Sequence, residues 1–157
     1  MPRFTETVYR SLKAAGWYEG RHVDVSKAVR ELQKKGFLGS PAAMCILEEF
    51  YGLSAHRVSF IQDRMLGIFF PEANELEFIA PLVGEPMCPM AYGGGGYAFA
   101  APSGRIVHLD DMWTFISFEN SLGDYLERIY AERIRFSKVV HLTDEQRPPD
   151  MQSTAPE

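Results

Sequence analysis

Catalysis or metal binding in this chain would fall to four histidines, two cysteines and a few acidic runs. His22, His56, His108 and His141 are scattered, and none stands in a known ligand spacing with another His, Cys or acid. The segment His108-Leu109-Asp110-Asp111 comes nearest to a site, because His108 and Asp110 project to the same side of a strand. A small metal-dependent hydrolase centred on His108, Asp110 and Asp111 is the enzyme reading; a strand end with solvated acids is the plain one. Glu48-Glu49 and Asp110-Asp111 are paired only in sequence. Neighbours point about 100° apart on a helix and to opposite faces on a strand, so neither pair makes a carboxylate dyad. Cys45 and Cys88 have no evident histidine partner, and no Gly-x-Ser-x-Gly elbow exists. The run Tyr92-Gly93-Gly94-Gly95-Gly96-Tyr97 invites comparison with phosphate-cradling loops. Such loops open a helix and, in triphosphate binders, end in Gly-Lys-Ser/Thr. Here a strand-like aromatic piece follows, so a flexible connection between strands is expected. No catalytic residue, cofactor or metal ligand is assigned.

The elements that position these residues fall into two halves. Residues 5–15 place Val8, Leu12 and Ala15 on one helical face, stopped by Gly16. Asp24 or Ser26 caps a second helix with Val25, Ala28, Val29 and Leu32 inward. Ser40 and Pro41 open a third, with the stripe Ala43, Ile46, Leu47 and Phe50 and a stop at Gly52. Arg21 reads as structural, pairing with a carboxylate such as Asp24 or Glu48. The period then changes. Val58, Phe60 and Ile68-Phe69-Phe70 read as strands, and Leu76, Phe78 and Ala80 alternate with Glu77 and Ile79. Pro81, Pro86 and Pro89 predict short extended pieces at an edge. Tyr97–Ala100 and Arg105–Leu109 flank a turn at Pro102-Ser103-Gly104, and Met112–Ile116 continues the sheet. Ser117 caps a last helix carrying Phe118, Leu122, Tyr125, Leu126 and Ile129. From Thr143 onward apolar residues are few, which predicts a disordered tail over 143–157 after a domain spanning 1–142. Helices, then strands, then a helix make an α+β fold: N-terminal helices and a C-terminal helix packed on a mostly antiparallel central sheet.

The chain has 157 residues and 46% hydrophobic residues, enough for one cored domain without disulfides or metals. Two separated cysteines read as buried thiols in a reducing compartment. The polar N-terminus does not read as a signal peptide, and no run reaches the roughly 20 apolar residues of a membrane span. A cytoplasmic location is expected. The net charge of −5 is unevenly spread. Residues 1–35 carry 8 basic against 4 acidic residues, whereas 36–127 carry 3 against 12, a net of −9. An acidic middle argues against nucleic acid as a direct ligand and is compatible with a basic protein partner.

Several short segments, in order and spacing, resemble one family. They are Ala14-Ala15-Gly16-Trp17, Gly20-Arg21, Gly36, the run Leu47-Glu48-Glu49-Phe50-Tyr51-Gly52-Leu53, and Ser103-Gly104-Arg105-Ile106-Val107. Together with the closing helix they resemble the third subgroup of the SUKH superfamily over about residues 5–132. Tyr51, where a glycine is usual, and the tetraglycine segment depart from that pattern. The resemblance implies helices on a central sheet and an immunity protein that binds a cognate toxin domain, often a nuclease or other nucleic-acid-targeting enzyme. It implies steric inhibition with no catalysis and no cofactor. A scaffold or regulatory binding role is the alternative within the superfamily.

The matched residues read as fold determinants rather than toxin contacts, so the binding surface has to be read from charge and residue type. Asp63, Glu72, Glu75, Glu77, Asp110 and Asp111 lie in or beside predicted turns and are the candidate acids for a basic partner. Tyr92 and Tyr97 are the candidate aromatic anchors, because interfaces favour tyrosine.

Overall fold

A computed structural model describes residues 3–67, 69–131 and 138–152. Three helices open the chain: α1 (Glu6–Ala14), α2 (Ser26–Lys34) and α3 (Pro41–Phe50). The Thr5 hydroxyl accepts the Val8 amide at the start of α1, and the Ser40 hydroxyl accepts Ala43 N at 3.2 Å before Pro41. Asp24 accepts both the amide and the hydroxyl of Ser26. Seven strands follow in a consecutive antiparallel meander: β1 (Ser54–Ala55), β2 (Val58–Phe60), β3 (Cys88–Gly93), β4 (Gly96–Ala100), β5 (Ile106–Asp110), β6 (Phe115–Glu119) and β7 (Lys138–His141). A short α4 (Ala80–Val83) lies in the long β2–β3 connection, and α5 (Leu122–Tyr130) follows β6. The fold is α+β.

Register divides the sheet into two faces. Ala91, Ala98, His108 and Ser117 lie side by side across β3–β6, next to the paired Gly93 and Gly96. These small residues leave room for α5. A Cβ on Gly93 would stand 3.1 Å from the Tyr125 hydroxyl, and one on Gly94 would stand 2.5 Å from Ile129 Cδ1. On the same face, Phe50 of α3 stacks on Phe60 at 4.7 Å between ring centroids. Glu119 of β6 and Arg128 of α5 form a buried ion pair at 2.7 Å. The other face carries Tyr92, Tyr97, Phe99 and Leu109. The 61–87 connection covers part of it, through Phe70 against Phe99 and Tyr97.

Several expectations are corrected. Phe69 and Phe70 lie in a turn, not a strand, with Phe70 buried and Phe69 exposed; Ile68 lies outside the described residues. Glu75–Phe78 is a 3-10 turn leading into α4. The buried set there is Leu76, Ile79 and Val83, a helical spacing that prevailed over the alternation of Leu76, Phe78 and Ala80. Pro81 therefore sits at a helix start, where its missing N–H costs no bond. Pro89 lies in an interior strand, but beyond the last β2–β3 pair (Phe60 with Ala91) and beside a bulge, so β2 loses no hydrogen bond. Met112 lies in the β5–β6 turn, and β6 runs on through Ser117 and Phe118. The helix cap falls to Ser121, whose hydroxyl accepts Asp124 N at 3.1 Å. Arg21 does hold the helices, but by main-chain carbonyls: its guanidinium donates to Glu49 O at 2.5 Å and Tyr51 O at 2.7 Å. Cys88 is buried, whereas Cys45 is exposed on α3, and both are free.

After β7, Thr143 and Gln146 cap one 3-10 turn reciprocally. Arg147 then donates to Trp113 O at 2.8 Å and Leu142 O at 2.9 Å. Residues 153–157 of the expected tail lie outside the described residues. Among the described residues, no helix is long and apolar enough to cross a membrane.

Candidate binding surface

The tetraglycine segment builds the β3–β4 hairpin. Gly93 pairs with Gly96, leaving Gly94 and Gly95 as a two-residue turn with φ of 59° and 78°. Two successive positive φ values suit the right-handed twist of the flanking strands and select glycine. The segment connects two strands, as expected, but it is closely packed. A Cβ on Gly96 would lie 2.6 Å from His108 Cε1, and one on Gly93 would lie 2.7 Å from Arg57 O. The Asp111 amide donates to Gly95 O at 3.1 Å, tying the end of β5 to the turn.

His108 lies beneath this hairpin with 1% of its surface exposed. Its Nε2 stands 3.1 Å from Gly93 O, a carbonyl that only accepts, so Nε2 carries the hydrogen. Burial, and then the charge of Arg128, push the imidazole pKa down to about 4. His108 is thus a neutral donor holding the hairpin, out of reach of any substrate. Asp110 accepts Thr114 N at 3.2 Å, and its carbonyl accepts Trp113 N at 2.8 Å, closing the β5–β6 turn. Among the described residues, no group of three His, Cys, Asp or Glu side chains is placed to hold a metal ion. The constellation of His108, Asp110 and Asp111 does not form, because Asp111 turns to the opposite face.

On that opposite face the structure brings four of the eight candidates together. Tyr92 and Tyr97 face each other across β3 and β4, with ring centroids 5.5 Å apart. Phe69 packs edge-on against both, at 5.2 Å and 6.0 Å, and remains 42% exposed. The Tyr92 hydroxyl donates to Asp111 Oδ2 at 2.6 Å. That bond, followed by burial, pushes the Tyr92 pKa up to about 12. Burial first, and then the charges of Asp111 and Glu75, also raise Tyr97. Both tyrosines therefore stay neutral phenols near neutral pH. Glu75 is steadied by accepting Glu72 N at 3.0 Å. Met112, next to Asp111, is 68% exposed. The result is an aromatic patch with an anionic border on a braced hairpin.

The remaining candidates lie elsewhere or serve the fold. Asp63 accepts the Tyr51 hydroxyl just past α3. Glu72 and Glu77 line an open groove of about 750 Å³ together with Lys34, Lys35, Leu38 and Glu85. The lysines there offset the acids, so this groove is of mixed charge. Asp110 is absorbed by its turn. Phe69 and Met112 were missed from sequence. Both are apolar residues whose exposure follows from tertiary packing, and no local pattern marks it.

Among curated proteins and among solved structures nothing matches. The model of one protein family, described as SUKH-3 immunity protein, matches residues 4–129, from the segment leading into α1 almost to the end of α5. That span holds the three opening helices, the β3–β4 hairpin and its aromatic patch, and over most of its length the chain belongs to the SUKH-3 immunity protein family.

Proposed function

We propose that this immunity protein neutralises its toxin sterically, laying the Phe69, Tyr92, Tyr97, Asp111 and Glu75 surface over the toxin's active-site mouth and doing no chemistry itself. The toxin is a basic domain that acts on nucleic acid. One observation carries this reading: a half-buried aromatic cluster with Phe69 exposed, bordered by two carboxylates that, among the described residues, have no Lys or Arg ion pair. Buried aromatics supply most of the energy in typical interfaces, and tyrosine and methionine are enriched there. A toxin that binds phosphates is basic around its site, and the Asp111 and Glu75 carboxylates beside the rings favour such a partner.

The test is recovery of the toxin by pull-down with the tagged chain from its native cells, then co-expression with it and kinetics on the purified pair. Protection from killing, with a 1:1 complex, is expected. Asp111→Lys together with Glu75→Lys should slow association by about tenfold and flatten its salt dependence. Full protection and unchanged association by the double variant would refute this surface.

A further inference from the structure

We infer that the centre of this surface is a receptor for one arginine side chain of the toxin, its guanidinium on the Asp111 carboxylate and its plane against the rings of Tyr92 and Phe69. The inference rests on the reading of this face as toxin-directed and names the chemistry it accepts.

Three observations point the same way. First, the Tyr92 hydroxyl occupies Asp111 Oδ2 at 2.6 Å, which orients the carboxylate, while no described hydrogen bond engages Oδ1. Second, Asp111 and Glu75 both lie close enough to Tyr97 for their charges to act on its phenol, so the rings stand in a doubly anionic field. Neither acid has a cationic side-chain partner among the described residues. Third, Phe69, Tyr92 and Tyr97 meet edge to face, at interplanar angles of 69° to 80°. Edge-to-face packing leaves ring faces for an incoming group, and Phe69 keeps 42% of its surface.

A cation that meets an oriented carboxylate and a π face together is suited by arginine more than lysine. Guanidinium is planar, stacks on rings, is weakly hydrated and forks onto a carboxylate. An ammonium is a strongly hydrated point charge. A purely apolar plug would desolvate both carboxylates and bring them no opposing charge.

The probe is a hexa-arginine peptide titrated into the full chain at low salt, with hexalysine as comparison, followed by NMR. Saturable shifts of the Tyr92, Tyr97 and Phe69 ring protons and of the Asp111 amide are expected, with hexalysine at least fivefold weaker. Asp111→Asn should weaken hexa-arginine at least fivefold with the rest of the spectrum unchanged. Phe69→Ala, at an exposed position, should weaken it severalfold. Equal affinity for the two peptides, shifts centred elsewhere, or undiminished binding by Asp111→Asn would overturn the inference. If those failures accompany loss of protection by the charge-reversed double variant, the surface stands and only its arginine preference falls. If the arginine site maps as expected while that variant protects fully, the toxin-facing reading is what fails.

Discussion

Lowering the pH should destabilise this protein through a single buried side chain, His108. The imidazole is 1% exposed and its pKa is displaced from the ordinary 6.5 to about 4. Protonation is therefore harder in the folded protein than in the unfolded chain. Between pH 6.5 and 4 the unfolded chain binds the extra proton, so folding stability falls as the pH falls through that window. Above 6.5 the group contributes nothing, and below 4 the penalty stays constant. With 1.36 kcal/mol per pKa unit, the loss is about 2 kcal/mol at pH 5 and about 3 kcal/mol once protonation is complete. For a chain of this length that is a fall in Tm of about 6–12 °C at full protonation. The assay is urea denaturation of the wild type and His108→Gln at pH 7.5, 6, 5 and 4.5. Glutamine keeps an N–H donor for Gly93 O and does not titrate. His22, His56 and His141 are common to both proteins and cancel in the difference. Asp24 and Glu85, whose carboxyls are held below their ordinary range by Ser26 and Ser103, lose their stabilisation only at the acid end and cancel likewise. The variant starts less stable and should hold its value where the wild type falls. Parallel curves from pH 7.5 to 5 would refute the assignment of His108 as a neutral, desolvated donor.

The hairpin glycines should separate sharply on substitution. Gly96→Ala drives a Cβ to 2.6 Å from His108 Cε1 and should cost about 3 kcal/mol or more, whereas Gly95→Ala meets open space and should cost about 1 kcal/mol for its positive φ; denaturation midpoints of the two variants check the order. The cysteines should differ equally plainly towards a thiol reagent under native conditions. Cys45 should react at once, while Cys88, buried and with its pKa pushed up to about 12, should react only on unfolding; simultaneous modification of both would contradict the packing of β3.

The helical half of the fold was legible because its signals are local. Ser40 and Pro41 ahead of an apolar stripe ending at Gly52 specify α3 with no help from the rest of the chain. Leu122, Tyr125, Leu126 and Ile129 likewise specify α5. Its start was misplaced because Phe118 stands four residues before Leu122 and fits the stripe as well as it fits the strand; pairing of β6 with β5 and β7 decides for the strand. Residues 69–83 were misread for a related reason. An apolar run among prolines supports either period, and the outcome depends on the sheet face it must cover. β7 was missed altogether, since Lys138–His141 is short and mostly exposed and gains its strand character from pairing with β6.

The proposed binding surface was half legible, and the physics of the fold explains which half. Tyr92 and Tyr97 face outward because their neighbours Gly93, Gly96 and Ala98 must face inward, where α5 and His108 leave no room for larger side chains. The tetraglycine motif, conspicuous as a sequence and useless as a phosphate loop, therefore fixes where the two tyrosines point. It also sets how firmly they are held. Gly93 and Gly96 are wedged against backbone and imidazole, and Tyr92 is tethered to Asp111, whose own amide grips the turn at Gly95. Rings so held give up little conformational freedom when a partner arrives, and ordering cost is a main reason that buried area fails to become affinity. Net acidity alone could not locate this surface. Of the six acids singled out from sequence, Asp110 closes its own turn, Asp63 bonds Tyr51 rather than a member of the ring cluster, and Glu72 and Glu77 face a groove that two lysines share. Charge in the sequence counts toward a partner only where the fold sets it beside a surface that a partner can grip, and Asp111 and Glu75 meet that condition beside the aromatic rings.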